Sequence, residues 1–183
     1  MRPQQQIIFR DDDIGLFHTT SGGELMEPDR IFKDFVLVDA LFKKHKVKHV
    51  IAVITKDLEI AEELVSYIKN NKHIEVQLHC DTHLNFTELS DEALIDQFTN
   101  GKRKIFELFG KEPEIFYPPW NKTDKRVEEF ANAFDLQVSS DKMSLSGYLR
   151  GHQKQVINFH YWADECKDLE QALIKYKNEN SGN

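Results

Sequence analysis

At 183 residues the chain is long enough to bury about 70% of its unfolded surface, so it needs neither a metal nor a disulfide merely to fold. Its formal net charge of -7 argues against nucleic acid or an anionic membrane as the principal partner, since both select for clustered lysine and arginine. Two cysteines argue against a disulfide scaffold, no apolar stretch approaches the ~20 residues of a membrane span, and residues 1–6 lack the apolar segment of a signal peptide. We therefore expect one cytoplasmic domain over residues 1–183, with a polar tail at about 177–183.

In the first half, short apolar runs alternate with longer amphipathic segments, which is typical of α/β proteins with a largely parallel sheet. The pattern predicts strands at residues 6–10, 50–55 and 74–78, each followed by a helix. The first helix is expected at 29–44, the second begins at Asp57, and the third runs from the capping residue Ser90 to 109, where Gly110 ends it.

The second half repeats this scheme less regularly. Strands are predicted at 114–117, 136–139 and 155–159, with a helix capped by Thr123 and a last helix at 164–176. Six strands fit an open doubly wound sheet or a barrel of fewer than eight strands. In both architectures functional residues collect at the carboxyl ends of parallel strands.

Three aspartates, Asp11, Asp12 and Asp13, stand at the end of the first strand. Like charges so close together call for a counter-ion, and a metal would supply one. Alternation along an extended strand places Arg10 and Asp12 on one side and Asp11 and Asp13 on the other. One carboxylate is then expected to bind a metal while its neighbour, steadied by Arg10, accepts a proton. A solvated turn after an edge strand is the alternative.

Two histidine pairs have the spacing H-x-x-x-H. His79 and His83 follow the third strand, whereas His45 and His49 lie in a lysine-rich segment and are expected to be solvated surface. On an extended strand such a pair would be about 13 Å apart, so the chain must turn helically after Leu78 for both to bind one ion. The residues alone leave two readings of His79 and His83, as metal ligands or as ordinary polar loop histidines.

Other strand ends carry further candidates. Pro119 with Trp120, residues 139–141, and His160 all follow predicted strands. A tryptophan at the mouth of a pocket suits the apolar face of a sugar ring, although a Pro-Pro-Trp turn also serves for packing. The loop at 16–28 is expected either to close over such a ligand or to be a flexible surface connection.

In this order the motifs resemble those of the polysaccharide deacetylases of the NodB-homology type, carbohydrate esterase family 4. That family has a strand ending in Asp-Asp, then H-[ST]-x-x-H, then R-x-P-[YW], then a late apolar residue followed at two positions by histidine. The counterparts here are Asp12-Asp13, His79-Cys80-Asp81-Thr82-His83, Tyr117-Pro118-Pro119-Trp120 and Asn158-Phe159-His160. The resemblance spans about residues 7 to 160 and implies an α/β fold, an irregular and incomplete (β/α)7 barrel.

The resemblance also implies roles for individual residues. Asp13, His79 and His83 would bind a divalent ion, zinc first and cobalt, nickel or iron as alternatives. Asp12 would be the base and His160 the acid. Because there are three aspartates, the pair Asp11 and Asp12 is an alternative register.

The chain departs from the family pattern at three motifs. Tyr117 stands where an arginine would orient the base, and Cys80 replaces a small hydroxyl residue after the first histidine. A further family motif, expected before the late histidine, is barely recognisable, and Asp141 is its expected remnant. We expect Arg10 to replace the missing arginine and Asp141 to pair with His160. If neither holds, the protein would be a weak or degenerate enzyme.

The predicted function is metal-dependent hydrolysis of an N-acetyl group on a carbohydrate, with a metal-bound water as the nucleophile. Tyr117, Pro119 and Trp120 are expected to contact the substrate, and a backbone N–H near Tyr117 to hold the oxyanion. A nucleotide- or lipid-linked sugar is the expected partner. Two alternatives remain: a carbohydrate-binding barrel without turnover, and a metal-dependent hydrolase of another amide or ester.

Overall fold

The computed structural model describes residues 7–15, 25–162 and 164–180. The predicted ligand-covering loop at 16–28 lies mostly outside this part of the chain, as do residues 181–183 of the predicted tail. The strands are β1 (Ile8–Ile14), β2 (His49–Ile54), β3 (Ile74–Cys80), β4 (Ile115–Phe116), β5 (Gln137–Val138) and β6 (Val156–Phe159). The α-helices are α1 (Pro28–His45), α2 (Thr55–Leu58), α3 (Glu62–Asn70), α4 (Asp91–Phe109), α5 (Lys125–Ala133), α6 (Leu145–Leu149) and α7 (Leu169–Asn180). Short 3-10 helices occupy Phe86–Glu88, Pro119–Asn121 and Asp164–Asp168.

The six strands form one parallel sheet in the order β5-β4-β3-β2-β1-β6. Strands β1 to β5 follow one another in space as they do in sequence, and β6 returns to pair with β1. This order is that of a curled barrel wall, and it leaves β5 and β6 at the two edges. The predicted α/β fold, an incomplete (β/α) barrel, is therefore confirmed.

The two faces of the sheet have different surroundings. On the outer face, Phe9 of β1 packs edge-on against Phe42 of α1 with ring centroids 6.1 Å apart, within the main hydrophobic core. On the inner face a small apolar cluster joins Val50 and Ala52 of β2 with Tyr117. Because side chains alternate along a strand, β1 presents Ile8, Arg10 and Asp12 to the inner face.

Two predicted helix ends are confirmed by their capping contacts. Ser90 Oγ accepts a hydrogen bond from Ala93 N at 3.2 Å at the start of α4. Gly110 ends that helix with φ 71, the left-handed conformation that favours glycine, and its N–H donates to Phe106 O.

Two predicted caps are wrong. Asp57 does not begin a long helix: it lies inside the one-turn α2, which continues directly from β2, and the next helix starts after Ala61. The cap of α5 is Asp124 rather than Thr123, since Asp124 Oδ1 accepts from Val127 N at 2.8 Å.

Several element bounds also differ from the prediction, and three of them concern the site or the tail. Strand β1 extends through the aspartates to Ile14 because Asp11 pairs with both β2 and β6 and Ile14 pairs again with β2. Strand β3 extends two residues further than expected, to Cys80. The last helix continues to Asn180 and therefore includes part of the predicted tail. Among the described helices none combines the length and apolar character that a bilayer-spanning helix needs.

Candidate metal centre and active site

The end of β1 is shaped by Asp13, whose backbone has φ 57. Aspartate is among the residues that tolerate this left-handed conformation, and the register with β2 shifts between Asp11 and Ile14. The strand alternation therefore stops at Asp13, and the predicted placement of Asp11 and Asp13 on one side is wrong. Asp13 turns instead toward the carboxyl end of β3.

Three side chains meet there. Asp13 Oδ1 lies 2.7 Å from His79 Nε2 and 3.2 Å from His83 Nε2, and one ligand atom of each residue lies within 4.8 Å of the others. His79 is buried at the end of β3, and the chain bends at Asp81 and Thr82 to bring His83 alongside, with ring centroids 5.2 Å apart. The two predicted ligand histidines and Asp13 are thus brought together, by a bend after Cys80 rather than a helical turn after Leu78.

The His79 ring indicates that this cluster suits a cation. Both of its ring nitrogens are buried and have no aligned hydrogen-bond partner among the described residues. Such a group is costly in a folded protein unless something else satisfies it. Burial raises the pKa of Asp13, but contacts with His79 and His83 outweigh burial and hold that pKa well below its ordinary value. Two imidazoles and one ionised carboxylate form the donor set of open divalent-metal sites.

Asp12 points to the inner face beside Arg10. Arg10 Nη2 donates to Asp12 Oδ2 at 2.7 Å, and Arg10 Nε lies 2.7 Å from Asp12 Oδ1. Asn158 Nδ2 of β6 also donates to Asp12 Oδ2, at 2.6 Å. The carboxylate is 2% exposed and is held from two neighbouring strands.

Arg10 is itself fully buried and held on several sides. Its Nη2 donates to Asn121 Oδ1 at 2.7 Å and its Nη1 to Ser139 O at 3.4 Å. Its guanidinium carbon lies 4.5 Å from the centroid of the Tyr117 ring, a cation–π arrangement. The predicted proximity of Arg10 to Asp12 is therefore present, and the arginine rests on the residue that stands in the family's arginine position.

Tyr117 and Pro119 are buried, so the prediction that their side chains contact a substrate is wrong. Burial raises the pKa of Tyr117 to about 12, so its hydroxyl stays neutral. The Tyr117 N–H donates to Leu78 O at 2.9 Å within the sheet, which leaves it no role in holding an oxyanion.

Trp120 is 52% exposed and is the predicted substrate-binding residue that the structure leaves accessible. Its ring meets that of His83 edge-on at 4.4 Å. Trp120 and Asn121 have φ 54 and φ 55, and a left-handed backbone is strained for a bulky residue such as tryptophan. Because Asn121 bonds Arg10, this strained turn is tied directly to the residue that holds Asp12.

His160 follows β6 and reaches the same end of the sheet. Its Nε2 lies 3.6 Å from Asp13 Oδ2, and its ring lies 4.9 Å from that of Trp162. Asp141, by contrast, is exposed and forms an ion pair with Lys154. The predicted pairing of Asp141 with His160 is therefore wrong.

Two braces of the site were not predicted. Asn158 and Asn121 hold Asp12 and Arg10, as described above. In addition, Gln97 of α4 accepts hydrogen bonds from Asp81 N and Thr82 N at 3.1 and 2.9 Å, and donates to Thr82 Oγ1 at 2.7 Å. The available signal was a glutamine within the buried and mostly apolar stripe of α4.

The prediction that His45 and His49 are solvated surface is also wrong. His45 has a side chain only 12% exposed and lies 3.5 Å from Glu170. His49 is fully buried, with Nε2 3.2 Å from Asp11 Oδ2 and Nδ1 3.0 Å from Asp39 Oδ1. Burial lowers the pKa of His49, but these two carboxylates outweigh burial and raise it above its ordinary value.

The sequence of the chain matches one known protein family. Residues 36–139, over half of the chain, match the family model described as Polysaccharide deacetylase. The chain belongs to the polysaccharide deacetylase family. The match includes His79, His83 and the Tyr117 motif, whereas the aspartates of β1 and His160 lie outside it and join the site in space. A search of curated proteins gives no sequence match.

Several solved structures of the family share this fold. A family 4 pseudoenzyme from Bacillus anthracis superposes with a TM-score of 0.78 at 16% identity, over 98% of this chain and 63% of that protein. A family 4 carbohydrate esterase from Streptomyces lividans, in complex with acetate, gives 0.73 at 14% identity, over 96% and 89%. A peptidoglycan deacetylase from Bacillus subtilis gives 0.69 at 17% identity, over 97% and 85%. The chain spans less than two thirds of the Bacillus anthracis protein, and at these identities the likeness shows the fold.

Proposed function

We propose that this member of the polysaccharide deacetylase family is a metal-dependent deacetylase that hydrolyses an N-acetyl group on a sugar. The observation that carries the proposal is the cluster of Asp13, His79 and His83, with Asp12 next to Asp13 at the end of the same strand. Zinc is the expected ion, with cobalt, nickel or iron as alternatives. The ion, when bound, supplies a water molecule that loses a proton near neutral pH.

Asp12 takes that proton in the proposed reaction. Its Oδ2 accepts hydrogen bonds from Arg10 and Asn158, and its Oδ1 lies 2.7 Å from Arg10 Nε without an aligned hydrogen bond from any described residue. Oδ1 is the less tightly held of the two oxygens, and we assign it as the base. Arg10 and Asn158 fix the orientation of the carboxylate, as a general base requires.

His160 gives a proton to the departing nitrogen. His160 lies at the same end of the sheet but does not belong to the cluster of proposed ligands. Its Nε2 lies 3.6 Å from Asp13 Oδ2. In the overall step a carbon–oxygen bond forms, the carbon–nitrogen bond of the acetamide breaks, Asp12 holds the proton from water and His160 protonates the amine. Acetate and an amino sugar are the products.

The exposed face of Trp120 supports a sugar as substrate, since an aromatic ring packs well on the apolar face of a pyranose. Two of the similar structures are also described as carbohydrate esterase and peptidoglycan deacetylase. The nucleotide- or lipid-linked form of the sugar, the cytoplasmic location and the single-domain organisation stay predictions from the sequence.

The test is metal analysis followed by an acetate-release assay. Purified protein is expected to bind about one divalent ion per chain and to release acetate from N-acetylglucosamine oligomers when zinc or cobalt is supplied. Protein that neither contains nor takes up zinc, cobalt, nickel or iron would refute the proposal. A parallel panel of N-formyl and O-acetyl compounds tests hydrolysis of another amide or ester, since turnover confined to that panel would replace the proposed substrate.

A second candidate, sugar binding without turnover, is supported by the tyrosine in the arginine position of the third motif. The fold is also shared with a family 4 pseudoenzyme. This alternative predicts that metal-loaded protein binds N-acetyl sugars in calorimetry yet releases no acetate. Release above that of the Asp12→Asn variant would exclude it.

A further inference from the structure

Beneath α1 lies a row of three fully buried ionisable side chains, Asp11, His49 and Asp39. His49 bridges the two carboxylates with one ring nitrogen each, at 3.2 Å to Asp11 and 3.0 Å to Asp39. Both nitrogens face acceptors only, so the histidine is most stable with a proton on each. The row joins β1, the start of β2 and α1.

The ring of His49 is enclosed by aromatic side chains. It stacks on Phe42 with centroids 4.2 Å apart and planes 3° apart, and it also stacks on Phe35 and Phe159 at 5.5 and 6.3 Å. Ions enclosed in an apolar core lose hydration that their pairing must offset, so such a row is poor evidence for a purely stabilising role. The desolvation cost of these side chains indicates a role for the row besides stability.

Asp11 connects the row to the active site. Its Oδ2 faces His49, while its Oδ1 accepts a hydrogen bond from the Tyr161 N–H at 2.9 Å. Tyr161 directly follows His160, and Asp11 precedes the ligand Asp13 by two residues. One carboxylate thus joins the strand that carries Asp13 to the segment that carries His160.

The other end of the row is anchored in the surrounding helices. Asp39 of α1 also accepts from Tyr67 Oη at 2.8 Å, and His73 Nε2 and Lys43 Nζ lie 2.6 and 3.8 Å from it. These contacts keep Asp39 in place for His49. Asp13, His79 and His83 make no contact with His49, so the row does not hold the ligand cluster directly.

We propose that His49 is a positioning residue for His160: it fixes the Asp11 carboxylate, which fixes the Tyr161 backbone and hence the reach of His160 toward Asp13. The inference rests on the proposed function in one respect, that His160 is the proton donor. It assigns a role to Asp11, the one of the three aspartates that is proposed neither as the base nor as a metal ligand. A displacement of about 1 Å at a catalytic group lowers turnover on the order of 10²-fold.

The test uses His49→Gln, with Asp39→Asn as a milder second variant that keeps the His49 contact but removes a charge. His45→Gln is the matched control, because His45 belongs to the same H-x-x-x-H pair and its ring nitrogen lies 3.5 Å from Glu170, away from Asp11. In both test variants we expect unchanged zinc affinity, unchanged KM and a kcat lowered on the order of 10²-fold for His49→Gln and about tenfold for Asp39→Asn. The control should match the wild type.

A second readout does not depend on turnover. Hydrogen exchange of the Tyr161 amide, measured against the β2 amides of Ile51 and Val53, should become about tenfold faster or more in His49→Gln. Tyr161 protection that falls only in step with the β2 amides would mean that His49 merely stabilises the core, and the proposal would be overturned. If the wild type releases no acetate but Tyr161 still loses its protection selectively, the proposed function fails while the positioning contact stands.

Discussion

Arg10 of β1 lies with its guanidinium carbon 4.5 Å from the ring centroid of Tyr117 of the third motif. The family pattern places an arginine at the Tyr117 position, where it would orient the catalytic carboxylate. Here the positive charge is that of Arg10, which lies two residues before Asp12 in the same strand and contacts its carboxylate. The tyrosine supplies a flat surface for that charge instead of supplying the charge itself.

Replacing Arg10 with lysine should lower both activity and stability. Lysine keeps the charge but lacks the fork that contacts both Asp12 oxygens and Asn121 together. We expect kcat to fall on the order of 10²-fold and the free energy of unfolding to fall by about 3 kcal/mol, since Asp12 stays buried with a poorer partner. Steady-state kinetics and urea unfolding measure these changes. Arg103→Lys, at an exposed pair with Glu107, is the control and should be neutral.

The double variant Arg10→Met with Tyr117→Arg tests whether the charge may enter from either position. It restores the family arrangement at the third motif while removing the charge from β1. We expect it to recover part of the acetate release that Arg10→Met alone loses. Equal activity of the double and single variants would show that Arg10 acts through something other than its contact with Asp12.

The three aspartates should separate in a metal-binding experiment. Asp13→Asn is expected to lose zinc binding, because Asp13 is the carboxylate beside both histidines. Asp12→Asn and Asp11→Asn should bind zinc normally, and Asp12→Asn should lose acetate release by about 10²-fold to 10⁴-fold. Isothermal titration with zinc and the release assay decide the assignment. Loss of zinc binding in Asp12→Asn alone would move the register by one residue.

Zinc should stabilise the wild type but not His79→Ala. A ligand that binds the native state alone adds about 2.7 kcal/mol of unfolding free energy at a concentration of 100 Kd. The variant loses the buried imidazole whose nitrogens have no aligned protein partner among the described residues. Thermal unfolding with and without zinc measures the difference, and His160→Ala is the comparison expected to keep the shift. An equal Tm rise in His79→Ala would remove His79 from the ligand set.

Stability should fall on the alkaline side through His49. Its folded pKa is raised above the unfolded value, because Asp11 of β1 and Asp39 of α1 outweigh the effect of burial. Such a group contributes fully below its unfolded pKa of about 6.5, and the contribution disappears as the pH rises through the folded pKa. Metal-free wild type should therefore lose more stability than His49→Gln between pH 6 and pH 9 in urea titrations. Parallel curves would contradict the assignment of charge to His49.

Substitutions at Trp120 should separate the role of its ring in substrate binding from the strain of its left-handed backbone. Trp120→Gly and Trp120→Ala both remove the ring and should raise KM for an N-acetyl sugar severalfold with little change in kcat. Glycine adopts φ 54 without steric strain, whereas alanine does not. The glycine variant should therefore be more stable than the alanine variant by about 1 kcal/mol. Phe106→Ala, at another exposed aromatic residue, controls for loss of surface area. Unchanged KM in both variants would exclude Trp120 from the substrate site.

Hydrophobic periodicity predicted the number of strands and the strand-end location of the site. Side chains that follow parallel strands must meet at one edge of a sheet, and for that reason Asp13, His79 and His160 were found together. The reach of Arg10 along β1 followed from the alternation of side chains in the same way.

The errors have local causes that periodicity does not contain. A single left-handed residue, Asp13, ends the alternation and separates Asp11 from the cluster of Asp13, His79 and His83. Lysines around His49 indicated solvent, but that residue begins β2, and strand geometry turns its ring into the core away from the lysine side chains. The pairing of Asp141 with His160 is predicted from a barely recognisable motif, whereas Asp141 lies at the surface and pairs with Lys154.

Gln97 has a consequence for how an ion would enter. Its side chain fixes the backbone of Asp81 and Thr82, so the two imidazoles on either side of this bend are spaced before any ion arrives. Ordering these ligands then takes no free energy from the binding step. We therefore expect EDTA to remove the ion quickly and reversibly. The circular dichroism spectrum of the protein should stay unchanged, in contrast to proteins that unfold when their metal is withdrawn.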